Sequence, residues 1–115
     1  MSITRMLPTS RASHIVIHNE TIYLAGQVAS ELKPDIGHQT RQVLAEIDKL
    51  LERAGSDKSR ALAATCYLAD MKDFDGFNAV WEAWIDRDNH PARTTVKAAM
   101  VSPDYLVEIT VIAAR

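Results

Sequence analysis

The segment at residues 106–114, "LVEITVIAA", restricts the possible fold more than any other part of the chain. Successive side chains of a β-strand point to opposite faces of its sheet. Here one face would be wholly apolar and the other mixed: Val107, Ile109, Val111 and Ala113 against Leu106, Glu108, Thr110 and Ile112. Because neither face is cleanly polar, a sheet that contains this strand needs cover on both sides.

Two earlier stretches of the chain also have strand patterns. β-Branched and aromatic residues fill positions 14–18 and 21–26, and the pair Asn19-Glu20 between them predicts a hairpin. Residues 61–70, "ALAATCYLAD", are nearly all apolar up to a terminal charge. Such a run is typical of a strand that is covered on both faces.

Two segments have helical patterns. Apolar residues recur at helical spacing from residue 36 to 54, and Gly55 follows as a left-handed stop signal. A second helix is predicted at residues 74–86, with Asp73 as its N-cap, because its aromatic residues and Val80 gather on one side. Both tryptophans of that helix should face the core or the wall of a pocket.

The C-terminal part of the chain resembles two strands joined by a short turn. Residues 93–99, "RTTVKAA", and residues 105–114 flank Ser102-Pro103-Asp104, which is a turn sequence, and we expect the two strands to pair antiparallel. The order of elements predicts a single α+β domain over residues 1–115, with one sheet and both helices on one of its faces.

The face of the sheet without helices has a consequence for assembly. Two helices cannot cover both faces, and large exposed apolar patches are uncommon on soluble monomers. We therefore expect the uncovered face to pack against other copies of the chain, giving a homo-oligomer.

Composition excludes several classes of function. The formal net charge is −2 and no run of Lys or Arg is present, which argues against a nucleic-acid or membrane-surface partner. The N-terminus lacks the apolar segment of a signal peptide, and no apolar stretch is long enough to cross a bilayer. The single cysteine, Cys66, rules out an intrachain disulfide and is expected to be a small buried apolar residue. We expect a soluble cytoplasmic protein.

Metal, nucleotide and serine-hydrolase sites have little support. His14 and His18 are four residues apart in a strand pattern, which places their rings about 13 Å apart, too far to share one ion. His38 and His90 are isolated. The chain also lacks a glycine-rich phosphate loop and a G-x-S-x-G motif, so we predict neither a metal nor an organic cofactor.

Arg93 and Glu108 remain as candidates for chemistry. An arginine where a strand begins is most often solvated or ion-paired, but a carboxylate between Val107 and Ile109 must be exposed, paired or used in proton transfer. In an antiparallel pair of final strands we expect both groups toward the same end. Together they could hold an anionic small molecule and a water molecule.

Several blocks in this order resemble one protein family. "HPARTTVKAA" followed by "LVEITVIAA" is similar to the closing signature of the Rid (YjgF-like) family of reactive-intermediate deaminases. "TIYLAGQVA", "LLERAGSDKSRALAATCYLADMKDF" and "FNAVWEAW" resemble its other blocks, most closely those of the YoaB-like branch. The resemblance implies a chorismate-mutase-like fold and a homotrimer with a central barrel and three clefts between subunits.

The resemblance also implies a set of site residues. Arg93 would bind the substrate carboxylate through two parallel hydrogen bonds, and Glu108 would orient the attacking water. The pocket would further be lined by Ala25, Gly26, Asn78 and Thr95. The chain departs from the common pattern at His14, where many members have a tyrosine, and at Thr95, where many have a cysteine.

Three functions are compatible with these residues. The leading one is hydrolytic deamination, without a cofactor, of small 2-imino or enamino acids such as 2-iminopropanoate and 2-aminoacrylate to 2-keto acids and ammonia. A non-catalytic binder or sensor of small carboxylate metabolites would use the same cleft. A ribonuclease or translation inhibitor, an older description of the family, is disfavoured by the acidic net charge.

Overall fold

The computed structural model describes residues 2–115, which form one mixed sheet with two helices. The strands are β1 Ile3–Pro8, β2 Ser13–His18, β3 Thr21–Leu24, β4 Ala61–Leu68, β5 Ala92–Lys97 and β6 Val107–Ala114. The helices are α1 Ile36–Arg53 and α2 Phe74–Trp84, and short 3-10 turns at Lys58–Arg60 and Met71–Asp73 precede β4 and α2. The α+β class predicted from the order of patterns is confirmed.

The strands lie in the order β1-β2-β3-β6-β4-β5, and every neighbouring pair is antiparallel except β4 and β5. The C-terminal strand β6 is therefore in the middle of the sheet. Its side chains alternate as expected, with Val107, Ile109, Val111 and Ala113 buried and the residues between them half-buried.

The predicted hairpin of the last two strands is wrong. β4 lies between β5 and β6 and pairs with both, parallel to β5 and antiparallel to β6. β4 and β6 are the strands with apolar residues on both faces, so they take interior positions, whereas β5 carries Arg93, Thr94 and Lys97 and lies at the edge. The helix α2 makes the crossover that returns the chain parallel to β4.

Helix α1 follows its sequence pattern closely. The Asp35 side chain accepts a hydrogen bond from the Gly37 backbone N–H at 3.0 Å, and Gly55 ends the helix with φ +83°. Its buried residues include all five apolar positions of the predicted stripe: Val43, Leu44, Ile47, Leu50 and Leu51. Because these residues face the sheet, α1 supplies much of the core.

Helix α2 ends two residues earlier than expected, at Trp84. Asp73 occupies the N-cap position but its side chain makes no capping hydrogen bond. Asp70 instead caps the preceding 3-10 turn, accepting from the Lys72 N–H at 2.9 Å. Phe77 and Trp81 are buried, and Trp84 is half-buried with its indole N–H donating to Asp48.

The hairpin of β2 and β3 is confirmed, with Asn19 in the left-handed region at φ +56°. The structure also shows a strand that the sequence did not predict. β1 pairs with β2 and extends the sheet at that edge. No helix in the described chain is long and apolar enough to cross a membrane.

Both helices pack on one face of the sheet, as predicted. It is the face to which the odd-numbered residues of β6 point. We call the opposite side the open face. Large apolar side chains stand exposed on it: Ile3 at 47%, Tyr23 at 45% and Val96 at 41%. Such a surface is typically covered by a partner. The homo-oligomer predicted from the sequence would provide that cover.

Candidate functional site

Arg93 lies on the helix side of the sheet. It pairs with Ala64 of β4, and its guanidinium lies 5.3 Å from the ring centres of both Phe77 and Trp81. A cation over aromatic faces is attracted by their negative centres. Aromatic rings do not use up the N–H groups of the guanidinium as a carboxylate would, so these donors stay available for a carboxylate.

Two buried polar atoms belong to residues that adjoin Arg93 or the ring beneath it. Thr95 is two residues along β5 on the same side, and Asn78 follows Phe77 in α2. Thr95 Oγ1 and Asn78 Oδ1 are buried and have no hydrogen-bond partner within residues 2–115. Buried polar atoms without partners are uncommon, so a ligand or a second chain is a natural source of the missing bonds. We call Arg93, Asn78 and Thr95 the arginine half-site.

Cys66 pairs with Thr95 across β4 and β5 and is fully buried. Burial raises the pKa of its thiol to about 11, although the nearby Arg93 charge opposes this shift. The thiol is therefore protonated at neutral pH and packs as a small apolar side chain. This confirms the interpretation of Cys66 as buried and structural.

Glu108 lies on the open face, across β6 from the helices, and pairs with Tyr67 of β4. Its carboxylate occupies the space where a side chain on residue 26 would be. A Cβ atom on Gly26 would overlap Glu108 Oε2 and lie 3.1 Å from its Cδ and 3.2 Å from Thr110 Oγ1. Glycine at position 26 thus makes room for the carboxylate.

His14 lies on the same side of the sheet as Glu108. Its backbone carbonyl accepts from the Ala25 N–H at 2.9 Å, and its Nδ1 lies 3.2 Å from Gln27 Nε2. We call His14, Ala25, Gly26 and Glu108 the glutamate half-site. Gln27, which the sequence analysis missed, connects the two ends of this half-site. Its side chain contacts His14, and its backbone pairs with Ile109, next to Glu108. The signal that could have found it was a polar residue directly after Gly26.

The two half-sites lie on opposite faces of one sheet. Arg93 and Glu108 pair with β4 residues three positions apart, which corresponds to about 10 Å along the strand, and the sheet lies between their side chains. The prediction that both groups lie toward the same end of a hairpin is therefore wrong. One chain alone cannot place both around a small molecule.

Neither half-site makes an internal ion pair. The two ion pairs within residues 2–115 are Lys33–Glu31 at 3.9 Å and Arg115–Glu20 at 3.7 Å, both at the surface. Arg93 and Glu108 are half-buried and keep their charged groups free of such partners. The common interpretation of a strand-end arginine as ion-paired within its own chain therefore does not apply here.

Two cavities of the single chain lie elsewhere. One of about 520 Å³ lies between α1 and α2, and one of about 320 Å³ lies beside the start of β4. Neither is lined by a predicted site residue. His14 and His18 lie in a strand as expected, and in the described part of the chain no three His, Cys, Asp or Glu residues are grouped to hold a metal ion.

Comparison with known proteins gives consistent matches over the whole described chain. The family model described as "Endoribonuclease L-PSP" matches residues 2–115. The chain is 45% identical to a RutC family protein of Haemophilus influenzae over 114 residues, covering 98% of each chain. It is also 45% identical to the RutC family protein YoaB of Escherichia coli, covering 99% of each.

Solved structures agree with these matches. A member of the YjgF protein family from Neisseria meningitidis is 39% identical with a TM-score of 0.97, over 100% of this chain and 96% of that one. A protein of the Rid family from Yersinia pestis is 29% identical with a TM-score of 0.88, over 94% of this chain and 90% of that one. The chain is therefore similar to these proteins in both its sequence and its backbone structure.

Proposed function

Because the chain belongs to the endoribonuclease L-PSP (Rid, YjgF-like) family, we propose that it hydrolyses small 2-imino and enamino acids to 2-keto acids and ammonia. The observation that carries this proposal is the pair of half-sites. One presents a guanidinium held over two aromatic rings and the other a carboxylate, and neither group has an ion-pair partner within residues 2–115. These are the two groups that hydrolysis of an imino acid requires.

The complete site is proposed to form between two copies of the chain in a homotrimer. Arg93 would come from one copy and Glu108 from its neighbour, because the sheet separates the two groups within each chain. Contact through the open face would also cover Ile3, Tyr23 and Val96. The assembly and the site therefore depend on the same surface.

Each half-site has a separate task in the reaction. Arg93 binds the substrate carboxylate and fixes the position of the neighbouring C2 atom. Glu108 accepts a proton from a water molecule as its oxygen forms a bond to C2 of the imine. That proton then passes to the substrate nitrogen and gives a tetrahedral intermediate with a hydroxyl and an amino group on C2. Glu108 next takes the hydroxyl proton and passes it to the same nitrogen, so that the C2–N bond breaks and ammonia leaves as the C2 carbonyl forms. An enamine such as 2-aminoacrylate enters this sequence after tautomerisation to the imine, in which C3 gains a proton and the nitrogen loses one.

Two other functions have less support. A non-catalytic binder of small carboxylates would need Arg93 and its neighbours but gives no role to a carboxylate placed beside Gly26. The activity named in the family description, endoribonuclease, requires contact with a polyanion. The net charge of −2 and the absence of a Lys or Arg run offer no such surface.

A coupled assay tests the proposed reaction. A dehydratase acting on serine generates 2-aminoacrylate, a trapping agent captures the imine that remains, and lactate dehydrogenase reports pyruvate. The protein is expected to speed pyruvate release and reduce the trapped imine in proportion to its concentration. Pyruvate release equal to that with an inert protein of the same concentration would overturn the proposed activity.

Sedimentation tests the proposed assembly. The chain should sediment as a trimer at micromolar concentration, because Tyr23 and its exposed neighbours need cover. Tyr23→Glu, which places a charge on the open face, is expected to dissociate the trimer. Met71→Glu is the matched control, since Met71 is 42% exposed but precedes α2. A monodisperse monomer of the parent chain would contradict the assembly.

The space left by Gly26 gives a further prediction. Gly26→Ala should fold and assemble, because the displaced atoms are at the flexible end of Glu108, but the carboxylate must move. A misplacement of about 1 Å can cost up to about a hundredfold in rate, so kcat should fall by about tenfold to a hundredfold. Gly37→Ala, where the new Cβ would approach the flexible Arg41 side chain at 3.2 Å and the Asp35 carboxylate at 3.4 Å, is the control. Equal kcat for Gly26→Ala and parent would show that this position of Glu108 is unimportant.

A further inference from the structure

The side-chain amide of Gln27 can have only one orientation. Its Nε2 lies 3.0 Å from the backbone carbonyl of Ala25, which can only accept a hydrogen bond. The atom facing that carbonyl must therefore be the nitrogen. The same nitrogen lies 3.2 Å from His14 Nδ1, within reach of its second N–H.

Gln27 is also held firmly by its surroundings. Its backbone N–H donates to the Ile109 carbonyl at 2.9 Å, and its carbonyl accepts from the Ile109 N–H at 3.1 Å. The residue is only 6% exposed, although it is polar. A buried glutamine that is held by two hydrogen bonds of its backbone and two of its side-chain nitrogen has little freedom to rotate.

This orientation fixes the chemical form of His14. Since Gln27 donates to Nδ1, that ring nitrogen must accept and cannot carry a proton. The imidazole is then neutral with its proton on Nε2. The Nε2–H is thus available as a hydrogen-bond donor to something other than Gln27.

His14 and Glu108 lie on the same face of the sheet, on either side of the end of β3. His14 lies in β2, next to β3, and Glu108 lies in β6, on the other side of β3. Two strand spacings separate their backbones by about 10 Å, and the Glu108 side chain extends across this interval as far as Gly26. Ala25 and Gly26 lie between them and contribute at most one methyl group.

We propose that His14, held by Gln27 as the neutral Nε2–H tautomer, donates a hydrogen bond to the substrate nitrogen opposite Glu108. The inference rests on the proposed function and adds two residue roles to it. His14 touches the substrate, and Gln27 is a positioning residue that acts through His14.

The neutral form suits the reaction. A hydrogen bond to the imine nitrogen draws electron density from C2 and makes it more open to attack by the water that Glu108 holds. A neutral imidazole does this while keeping its own proton, as an electrophilic neutral histidine does in other enzymes. It also recognises a class of substrates, namely those with an uncharged nitrogen or oxygen acceptor at C2, such as a neutral imine or the carbonyl of the product.

Nitrogen NMR of the four histidines tests the tautomer without any assay of activity. At about pH 8, above the ordinary pKa of histidine, His14 of the parent chain should show a proton on Nε2 and none on Nδ1. Gln27→Glu replaces the donor with an acceptor and should move the His14 proton to Nδ1. Gln27→Met, which has neither, should leave a mixture of tautomers. A protonated Nδ1 in the parent, or no change in Gln27→Glu, would overturn the inference.

The role in turnover is tested with matched ring variants. His14→Phe keeps a ring but lacks the donor, and kcat should fall by about a hundredfold, the scale seen when one donor to a developing charge is removed. KM should change much less, because Arg93 still binds the carboxylate. His14→Gln, whose amide N–H can reach the place of Nε2–H, should recover part of the loss. His18→Phe, on the same strand and face but without a contact to Gln27, should behave as the parent.

The outcomes separate this inference from the proposed function. If the parent deaminates 2-aminoacrylate and His14→Phe does so equally well, His14 is not a donor in the reaction, and the function stands without it. If the parent shows no activity, the proposed function fails and takes the catalytic role of His14 with it. A fall in kcat for His14→Phe that His14→Gln partly restores supports both.

Discussion

An equimolar mixture of two nearly inactive variants, Arg93→Met and Glu108→Gln, should recover about a quarter of the parent activity after joint unfolding and refolding. Each proposed site takes Arg93 from one chain and Glu108 from another, because the sheet separates them within a chain. With random mixing, about one site in four receives the two intact residues. Methionine keeps apolar contact with Phe77 and Trp81 while removing the charge, so assembly should be preserved.

Two controls make this result decisive. Each variant refolded alone must stay nearly inactive. Parent chains mixed equally with a double variant, Arg93→Met/Glu108→Gln, should retain about a quarter of the activity of parent alone if sites lie between chains. Sites within single chains would retain about half. Absence of recovery in the first mixture, with exchange of chains shown by mass spectrometry, would rule out a site shared between copies.

Substitutions that preserve shape should separate the tasks of the two residues. Arg93→Lys keeps the charge but loses the planar two-point contact, so it should weaken pyruvate binding by about 1–3 kcal/mol and lower kcat/KM by a similar amount. Glu108→Gln keeps shape and hydrogen-bonding capacity but cannot accept the proton. It should bind pyruvate like the parent and lose about 10²–10⁴-fold in kcat.

Calorimetry with pyruvate and the coupled assay measure these two effects independently. Two variants that both deaminate 2-aminoacrylate at the parent rate would assign structural roles to Arg93 and Glu108 and would favour a binding protein. Loss of the trimer in Arg93→Lys, seen by sedimentation, would instead make Arg93 a contact between chains. The activity of that variant would then say nothing about the chemistry of Arg93.

The elements fixed by local patterns were predictable. Helix α1 follows from the spacing of its apolar residues and from Gly55, and the alternation of β6 follows from the period of a strand. Strand β1 was not predicted, since its run is short, ends at Pro8, and includes Leu7 at φ +54°. Its pairing with β2 provides the stability that its own sequence does not indicate.

The pairing of distant strands was the main point that local patterns could not decide. The turn at Ser102-Pro103-Asp104 correctly indicated a change of direction, and Tyr105 N–H donates back to the Ser102 carbonyl at 3.2 Å. Turn chemistry does not say which strand the chain joins next. Because β4 lies between β5 and β6, Arg93 and Glu108 are on opposite faces of the sheet and not at the same end of a hairpin.

Individual site residues were predictable to different degrees. The resemblance identified Gly26, and the structure supplies a physical reason in the position of Glu108. The position of Arg93 over Phe77 and Trp81 depends on where α2 crosses β5. The position of Gln27 depends on its pairing with Ile109. Both arise from contacts between distant parts of the chain, which residue spacing does not encode.

The placement of Arg93 and Glu108 on opposite faces also has a genetic consequence under the proposed function. A chain altered at one of these residues still offers its other residue intact to a neighbour. A cell with two alleles, one defective at Arg93 and the other at Glu108, would assemble some working sites from two faulty gene products. Two alleles defective at the same residue would assemble none.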